Sequence, residues 1–151
     1  IGLQAGTAAS VAGFRVHAVP AAHESLETDA AGRHKFLGFV VEAGPWTLYH
    51  SGDTVRFPGM VEILRRWRID IALLPINGRA PERRVAGNLN GAEAAELAHA
   101  IGAGLVIPCH YDMFAFNTAT PDAFMARCAA LGQPCQVLKN GEGLSTRRKA
   151  R

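Results

Sequence analysis

Three short stretches concentrate side chains that bind metals or carry protons. They are Pro20-Ala21-Ala22-His23-Glu24-Ser25, His50-Ser51-Gly52-Asp53-Thr54 and Pro108-Cys109-His110-Tyr111-Asp112. Each follows a run with strand character, and in open α/β sheets functional groups gather where strands end and loops begin. Imidazole together with carboxylate is a donor set for zinc or manganese, and ligand type alone does not choose between them. Ala21, Ala22 and Gly52 are small and let backbone come close to whatever the neighbouring side chains hold. Taken singly, each stretch also has a plain structural reading. A histidine at a strand end can be satisfied locally, Asp53 can brace the turn at Gly52, and His50 can orient the loop that carries Asp53. His17 and His99 fall inside periodic segments and His34 on a polar loop, where packing or solvent roles suffice. Cys109 ends an apolar run with no activating base indicated, so it reads as buried filler rather than a nucleophile.

These stretches need rigid supports, and the flanking pattern supplies them. Residues 14–20 (FRVHAVP) alternate apolar and polar side chains, the period of a half-buried strand. Residues 35–43 and 46–50 predict a hairpin across Gly44-Pro45, and the polar residues 23–34 predict a loop. After that the pattern changes. Residues 58–68 carry Met60, Val61, Ile63, Leu64 and Trp67 at helical spacing. Residues 69–76 (IDIALLPI) are nearly continuously apolar, as in a strand covered on both faces. Asn90 with Glu93 three residues on predicts a capped helix that stops at Gly102. Residues 104–108 predict a short buried strand. Thr120-Pro121 opens a further helix with proline at its first position, ended by Gly132. Residues 135–138 predict a last strand. The order, a strand-rich part followed by β-α-β-α-β, predicts one α/β unit over residues 1–151.

Length and composition set the outer limits. The chain has 151 residues, 48% hydrophobic and 19% charged, which suits one folded domain rather than a disordered segment. No apolar run approaches the ~20 residues that span a bilayer, so no membrane partner is expected. Three cysteines, an odd number, make no paired disulfide framework and point to a reducing compartment, the cytoplasm. The net charge is +3, and much of the excess lies in Arg147, Arg148, Lys149 and Arg151. A basic tail over 144–151 reads as solvated, and no nucleic-acid partner is expected.

The stretches PAAHESLETDAAG, LGFVVEAG, YHSGDT, ALLPINGR and IPCHYDMFAFN, in that order between Val19 and Asn117, resemble the metallo-β-lactamase superfamily, and within it the L-ascorbate-6-phosphate lactonase-like branch. The resemblance implies an α/β fold, the αββα sandwich, with this chain supplying mainly its C-terminal half. It implies metal ligation by His23, Asp53 and His110, with Asp53 bridging two divalent ions, zinc or manganese, per complete site. Asp53 and His110 then carry the catalysis, and a hydroxide between the metals is the nucleophile. The implied reaction opens a lactone of a phosphorylated sugar acid. Arg79 offers a planar fork for a phosphate or carboxylate or equally reads as a solvent-facing loop arginine, Asn77 and Asn117 line the pocket or Asn77-Gly78 makes a turn, Tyr111 touches substrate or packs, and Asp112 and His50 orient the ligands. The same metals would equally serve a phosphodiesterase or another esterase acting on a small-molecule substrate. A reading from another class is an inactive fragment that acts as an assembly module.

One departure from the family pattern shapes these expectations. The superfamily's H-x-H-x-D-H signature is absent, since no two histidines here are separated by a single residue. Together with the start at Ile1, this leads to the expectation that the chain is the later part of a larger domain. A half-sandwich leaves an apolar face open, so a homo-oligomer is expected.

Overall fold

The alternating run that begins at Phe14 forms a strand, β2 (Phe14–Ala21), and the apolar run after Lys35 forms β3 (Phe36–Ala43). In the computed structural model, which describes residues 1–145, both belong to a six-stranded sheet whose strands lie in sequence order. The hairpin partner of β3 is β4 (Trp46–His50), as the Gly44-Pro45 turn predicts. A short strand that the sequence pattern does not signal, β1 (Ala8–Val11), pairs with β2. Its sequence AASV has little β-propensity, and its pairing with the longer β2 makes it a strand. Of the basic tail expected at 144–151, residues 146–151 lie outside the described residues.

Beyond β4 the sheet turns parallel, through β5 (Ile71–Pro75) and β6 (Leu105–Cys109). The first crossover carries α1 (Met60–Leu64), five residues where eleven, 58–68, were expected. Gly59 at its start has no side chain to cap the free N–H groups, and the chain leaves the helix at Arg65. Trp67 instead packs its ring 5.2 Å from that of His17. The second crossover is α2 (Gly91–Ala100), opened by the capping box that Asn90 and Glu93 predict. The Asn90 side chain accepts from Glu93 N at 2.9 Å, and Glu93 Oε2 accepts from Asn90 N at 2.9 Å. In α3 (Asp122–Leu131), Pro121 takes the capping position rather than the first helical one, and Gly132 ends the helix in the left-handed region. The expected strand over 135–138 does not form. Only Cys135 bridges Val106, because the Val106 backbone reaches just Pro134 and Gln136 before the chain diverges.

The sheet's two faces are unequal. One register row runs His17, Val40, Tyr49, Ala72 and Val106. The last four of these belong to the core, with Leu64 of α1, Ala94, Leu97 and Ala98 of α2, and Phe124 and Cys128 of α3. All three helices therefore pack on this face. The next row, on the other face, runs Val16, Val41, Leu48, Ile71 and Leu105, and it contributes nothing to that core. That face is apolar, and Phe14 on it is 48% exposed. Among the described residues, no helix is long and apolar enough to cross a membrane.

Helix α2 sits tight against α3 at Gly91, where an added Cβ would lie 2.8 Å from Phe124 N. Gly91→Ala is therefore expected to destabilise the protein by about 1–3 kcal/mol through overpacking, although alanine is the better helix former. Urea unfolding measures it, and an unchanged or raised midpoint would refute the packing account.

Candidate functional site

Strands β2, β4 and β6 run in the same direction, so their C-terminal ends share one edge of the sheet. His23, Asp53 and His110 stand just past those three ends. The structure brings them together as expected. His110 Nε2 lies 2.8 Å from Asp53 Oδ1, and His23 Nε2 lies 3.9 Å from Asp53 Oδ2, so each carboxylate oxygen faces one imidazole.

The loops that carry them are tied by backbone bonds. Ala22 N donates to Thr54 Oγ1 at 2.9 Å, and Val55 N donates back to Ala22 O at 2.7 Å. Leu89 N donates to Thr54 O at 2.8 Å, which joins the segment before α2 to the same point. Gly52 has φ 63, and a Cβ there would stand 2.7 Å from Leu37 O, so only glycine lets the Asp53 loop fold against β3. His110 is held at φ 58, a conformation few non-glycine residues adopt, and Ile76 N donates to Cys109 O just before it at 3.0 Å.

The site's charges follow from this geometry. The hydrogen bond from His110 holds the Asp53 carboxyl below its usual range against the opposing effect of burial, and His23 and Asn88 add to the lowering. The same bond holds His110 above its ordinary value. Burial pushes His50 down, the charge of His110 adds to that, and Asp53 opposes it.

Residues 1–111 match the family described as the beta-lactamase superfamily domain. The chain belongs to this metallo-β-lactamase superfamily. It is 33% identical over 153 residues to a UPF0173 metal-dependent hydrolase of Myxococcus xanthus, covering 97% of this chain and 52% of the relative. A second UPF0173 metal-dependent hydrolase, from Rubrobacter xylanophilus, is 34% identical over 95% of this chain and 60% of its own length. The chain thus spans about half of the curated relatives it matches. The fold is shared with Igni18, described as a novel metallo hydrolase from Ignicoccus hospitalis, at a TM-score of 0.78 and 24% identity over 99% of this chain and 61% of that one. The fold is accordingly the metallo-β-lactamase one, seen here as a mixed six-stranded sheet with helices.

The remaining expected site residues divide. His50 accepts from Gly52 N at 3.0 Å through Nδ1, a bond within the loop that carries Asp53. Asn77 is 2% exposed and joins Asn117 at 2.9 Å. Both belong to a network of side chains rather than to an open pocket wall. Arg79 does not present its fork to a ligand, because its guanidinium is paired with the Glu93 carboxylate. That pairing follows from the capping box, which fixes Glu93 at the start of α2. Of the two roles open to Tyr111, the structure shows packing. Its hydroxyl donates to Leu138 O, and its ring packs on the core. Asp112 makes no hydrogen bond to His110 among the described residues. Its backbone N–H is bound by Thr118 Oγ1 at 2.8 Å, and Asp53 takes the place expected for it beside His110. Cys109 is partly buried, and burial raises its thiol to about 11. Sequence reasoning missed Thr54, Asn88 and Arg83. The HSGDT stretch contains Thr54, but the signal there drew attention to Asp53. Asn88 stands two residues before the cap Asn90, and nothing local distinguishes it.

Two imidazoles and a carboxylate suit a divalent metal in donor chemistry, and the buried His23 Nδ1 has no partner in the protein. Among the described residues no group of three His, Cys, Asp or Glu side chains is spaced to hold an ion by itself. The three residues fit a metal as contributors to a larger donor set.

The pair's pH behaviour is directional. Asp53 is lowered from 3.8 and His110 raised from 6.5. Their mutual stabilisation is complete between those two values. It is lost as pH falls through the lowered Asp53 pKa and as pH rises through the raised His110 pKa. In the metal-free protein, the His110 ring followed by NMR is expected to titrate above 6.5, and Asp53→Asn should bring it down. A His110 titration unmoved by that substitution would show that the pair does not exist in solution.

Proposed function

We propose that this chain contributes to a metal-dependent hydrolase site acting on a small-molecule ester or lactone. One observation carries the reading: a single carboxylate, Asp53, presents one oxygen to each of two histidines that arrive from different strand ends. The relatives described as metal-dependent hydrolases support it. A zinc or manganese pair, when bound, lowers the pKa of coordinated water and polarises the scissile carbonyl.

The chain's own residues do the following. Asp53 offers both oxygens and so links the positions served by His23 and His110. Without metal, His110 Nε2 holds a proton toward Asp53 Oδ1, and that proton would have to leave before His110 could ligate through that atom. Metal uptake should therefore weaken as pH falls. His50 and Thr54 fix the loop on which Asp53 turns. The phosphorylated sugar lactone suggested by the motif resemblance loses its expected anchor, since Arg79 is engaged by Glu93. The reaction class is ester or lactone opening with no phosphate contact assigned.

Equilibrium dialysis of the chain with Zn²⁺ or Mn²⁺ tests this. Asp53→Ala is expected to weaken binding at least about tenfold, in line with the loss of a ligand or its close support. Equal uptake by the variant and the parent chain would sink the assignment.

A second reading, an assembly module, is favoured by the apolar sheet face that carries Val16, Val41 and Leu48 but no helix. Two copies that meet across this face would cover it. Sedimentation of the chain should then show a homo-oligomer that Val41→Lys shifts toward monomer. A parent chain that stays monomeric at high concentration would rule this out.

A further inference from the structure

We propose that Arg83 sets the direction of a relay of three side-chain amides, Asn117, Asn77 and Asn88, that ends as an N–H donor on the Asp53 carboxylate. Arg83 and Asn88 are then positioning residues for Asp53. The inference rests on the reading of Asp53 as a metal ligand.

The direction follows from what each group can do. A guanidinium only donates. Arg83 lies in the short 3-10 turn Pro81–Arg83 and reaches Asn77 O at 2.6 Å, Thr118 O at 3.1 Å and Asn117 Oδ1 at 3.3 Å. The Asn117 atom that faces it must be the oxygen. Asn77 meets that same oxygen at 2.9 Å, so it must present Nδ2 there. This leaves Asn77 Oδ1 to accept, and Asn88 Nδ2 donates to it at 3.1 Å. Leu89 N donates to Thr54 O at 2.8 Å, which sets the preceding residue Asn88 against the Asp53 loop, and there its amide helps lower the Asp53 carboxyl as a donor. An ionised carboxylate only accepts.

A lone asparagine amide can sit either way round with little change in shape. Here a donor-only group at one end and an acceptor-only group at the other leave one consistent arrangement. The burial supports it, with Asn77 at 2% and Asn88 at 1% exposed. One further observation agrees. Asn88 Oδ1 is buried and has no partner, an arrangement native proteins rarely tolerate. Turning the amide over would set that oxygen against two other acceptors, Asn77 Oδ1 and Asp53, so the unpaired oxygen is the lesser penalty. The relay also ties Asp53 to the segment after His110, since Asn117 and Thr118 are both held by Arg83. Both arms of the His110–Asp53 pair are thereby fixed to one cation.

Arg83→Lys keeps a donor-only group, whereas Arg83→Gln supplies an amide that can face either way. Zn²⁺ affinity by competition titration should fall about 10- to 100-fold in Asn88→Ala, the usual effect of removing a group that supports a ligand. Arg83→Gln should fall by roughly threefold or more while Arg83→Lys stays closer to the parent, because only the glutamine can reverse the relay. A readout independent of metal is the Asn88 side-chain NH₂ signal in the NMR spectrum of the metal-free protein. It should move in Asp53→Ala and broaden or double in Arg83→Gln. Should Asn88→Ala fail to fold, the two Arg83 variants and the NH₂ signal carry the test. The relay is overturned by wild-type Zn²⁺ affinity in Asn88→Ala alongside loss in Asp53→Ala, or by equal behaviour of Arg83→Lys and Arg83→Gln. Retained Zn²⁺ binding in Asp53→Ala overturns the metal reading instead, while the NH₂ signal still decides whether the relay exists.

Discussion

The hydroxyl of Thr54 is the point on which the site depends. It accepts from Ala22 N and donates to Val55 O, while the Thr54 carbonyl accepts from Leu89 N. Thr54 and Ala22 are both fully buried, and a buried backbone N–H without an acceptor is expensive. Three segments from different parts of the chain therefore have to meet there: the end of β2 with His23, the turn after β4 with Asp53, and the approach to α2 with Asn88. The three residues proposed as ligands are a third or so exposed, and exposed contacts of this kind contribute little to holding them in place. Their convergence is imposed by the buried backbone beneath them.

The sheet explains why this meeting point lies at an edge and not in the interior. Parallel strands β4, β5 and β6 need crossovers, and the crossovers place α1 and α2 on one face. The loops that leave β2, β4 and β6 then emerge side by side at a common end. The opposite face keeps its apolar rows without a helix over them. The sheet in this chain thus carries its helices on one side, and the candidate site stands along the edge formed by the strand ends. The same asymmetry supports two readings of the chain, one in chemistry at the edge and one in association across the face.

Electrostatics divides the arginines of the loop after β5. Arg79 and Arg83 are four residues apart and equally charged. Arg79 meets the Glu93 carboxylate that also completes the α2 cap, so a structural anion neutralises it. Arg83 meets only neutral oxygens, those of Asn77, Asn117 and Thr118, and so retains its charge while ordering their dipoles. Arg79 follows the apolar strand and falls in the ALLPINGR stretch that carries the family resemblance. The structure gives the organising role to the arginine whose partners are uncharged.

The sequence by itself determined the types and places of the principal groups. The stretches that hold His23, Asp53 and His110 were legible because short-range pattern marks strand ends, whereas the choice of these three as candidate ligands came from the family resemblance. The capping box at Asn90 and Glu93 and the hairpin across Gly44-Pro45 were legible from local pattern, since the cap pair and the turn-closing pair Ala43–Trp46 are each three residues apart. What only the tertiary structure decided involves partners far apart in the chain. Residues 135–138 miss strand geometry because a single bridge to β6 cannot sustain a ladder. Tyr111 turned out to serve Leu138, and Asn88 to serve Asn77 and Asp53, across separations that no local pattern encodes. An amide's orientation depends on which donors and acceptors surround it, and those neighbours exist only once the three strand ends have been brought to one edge.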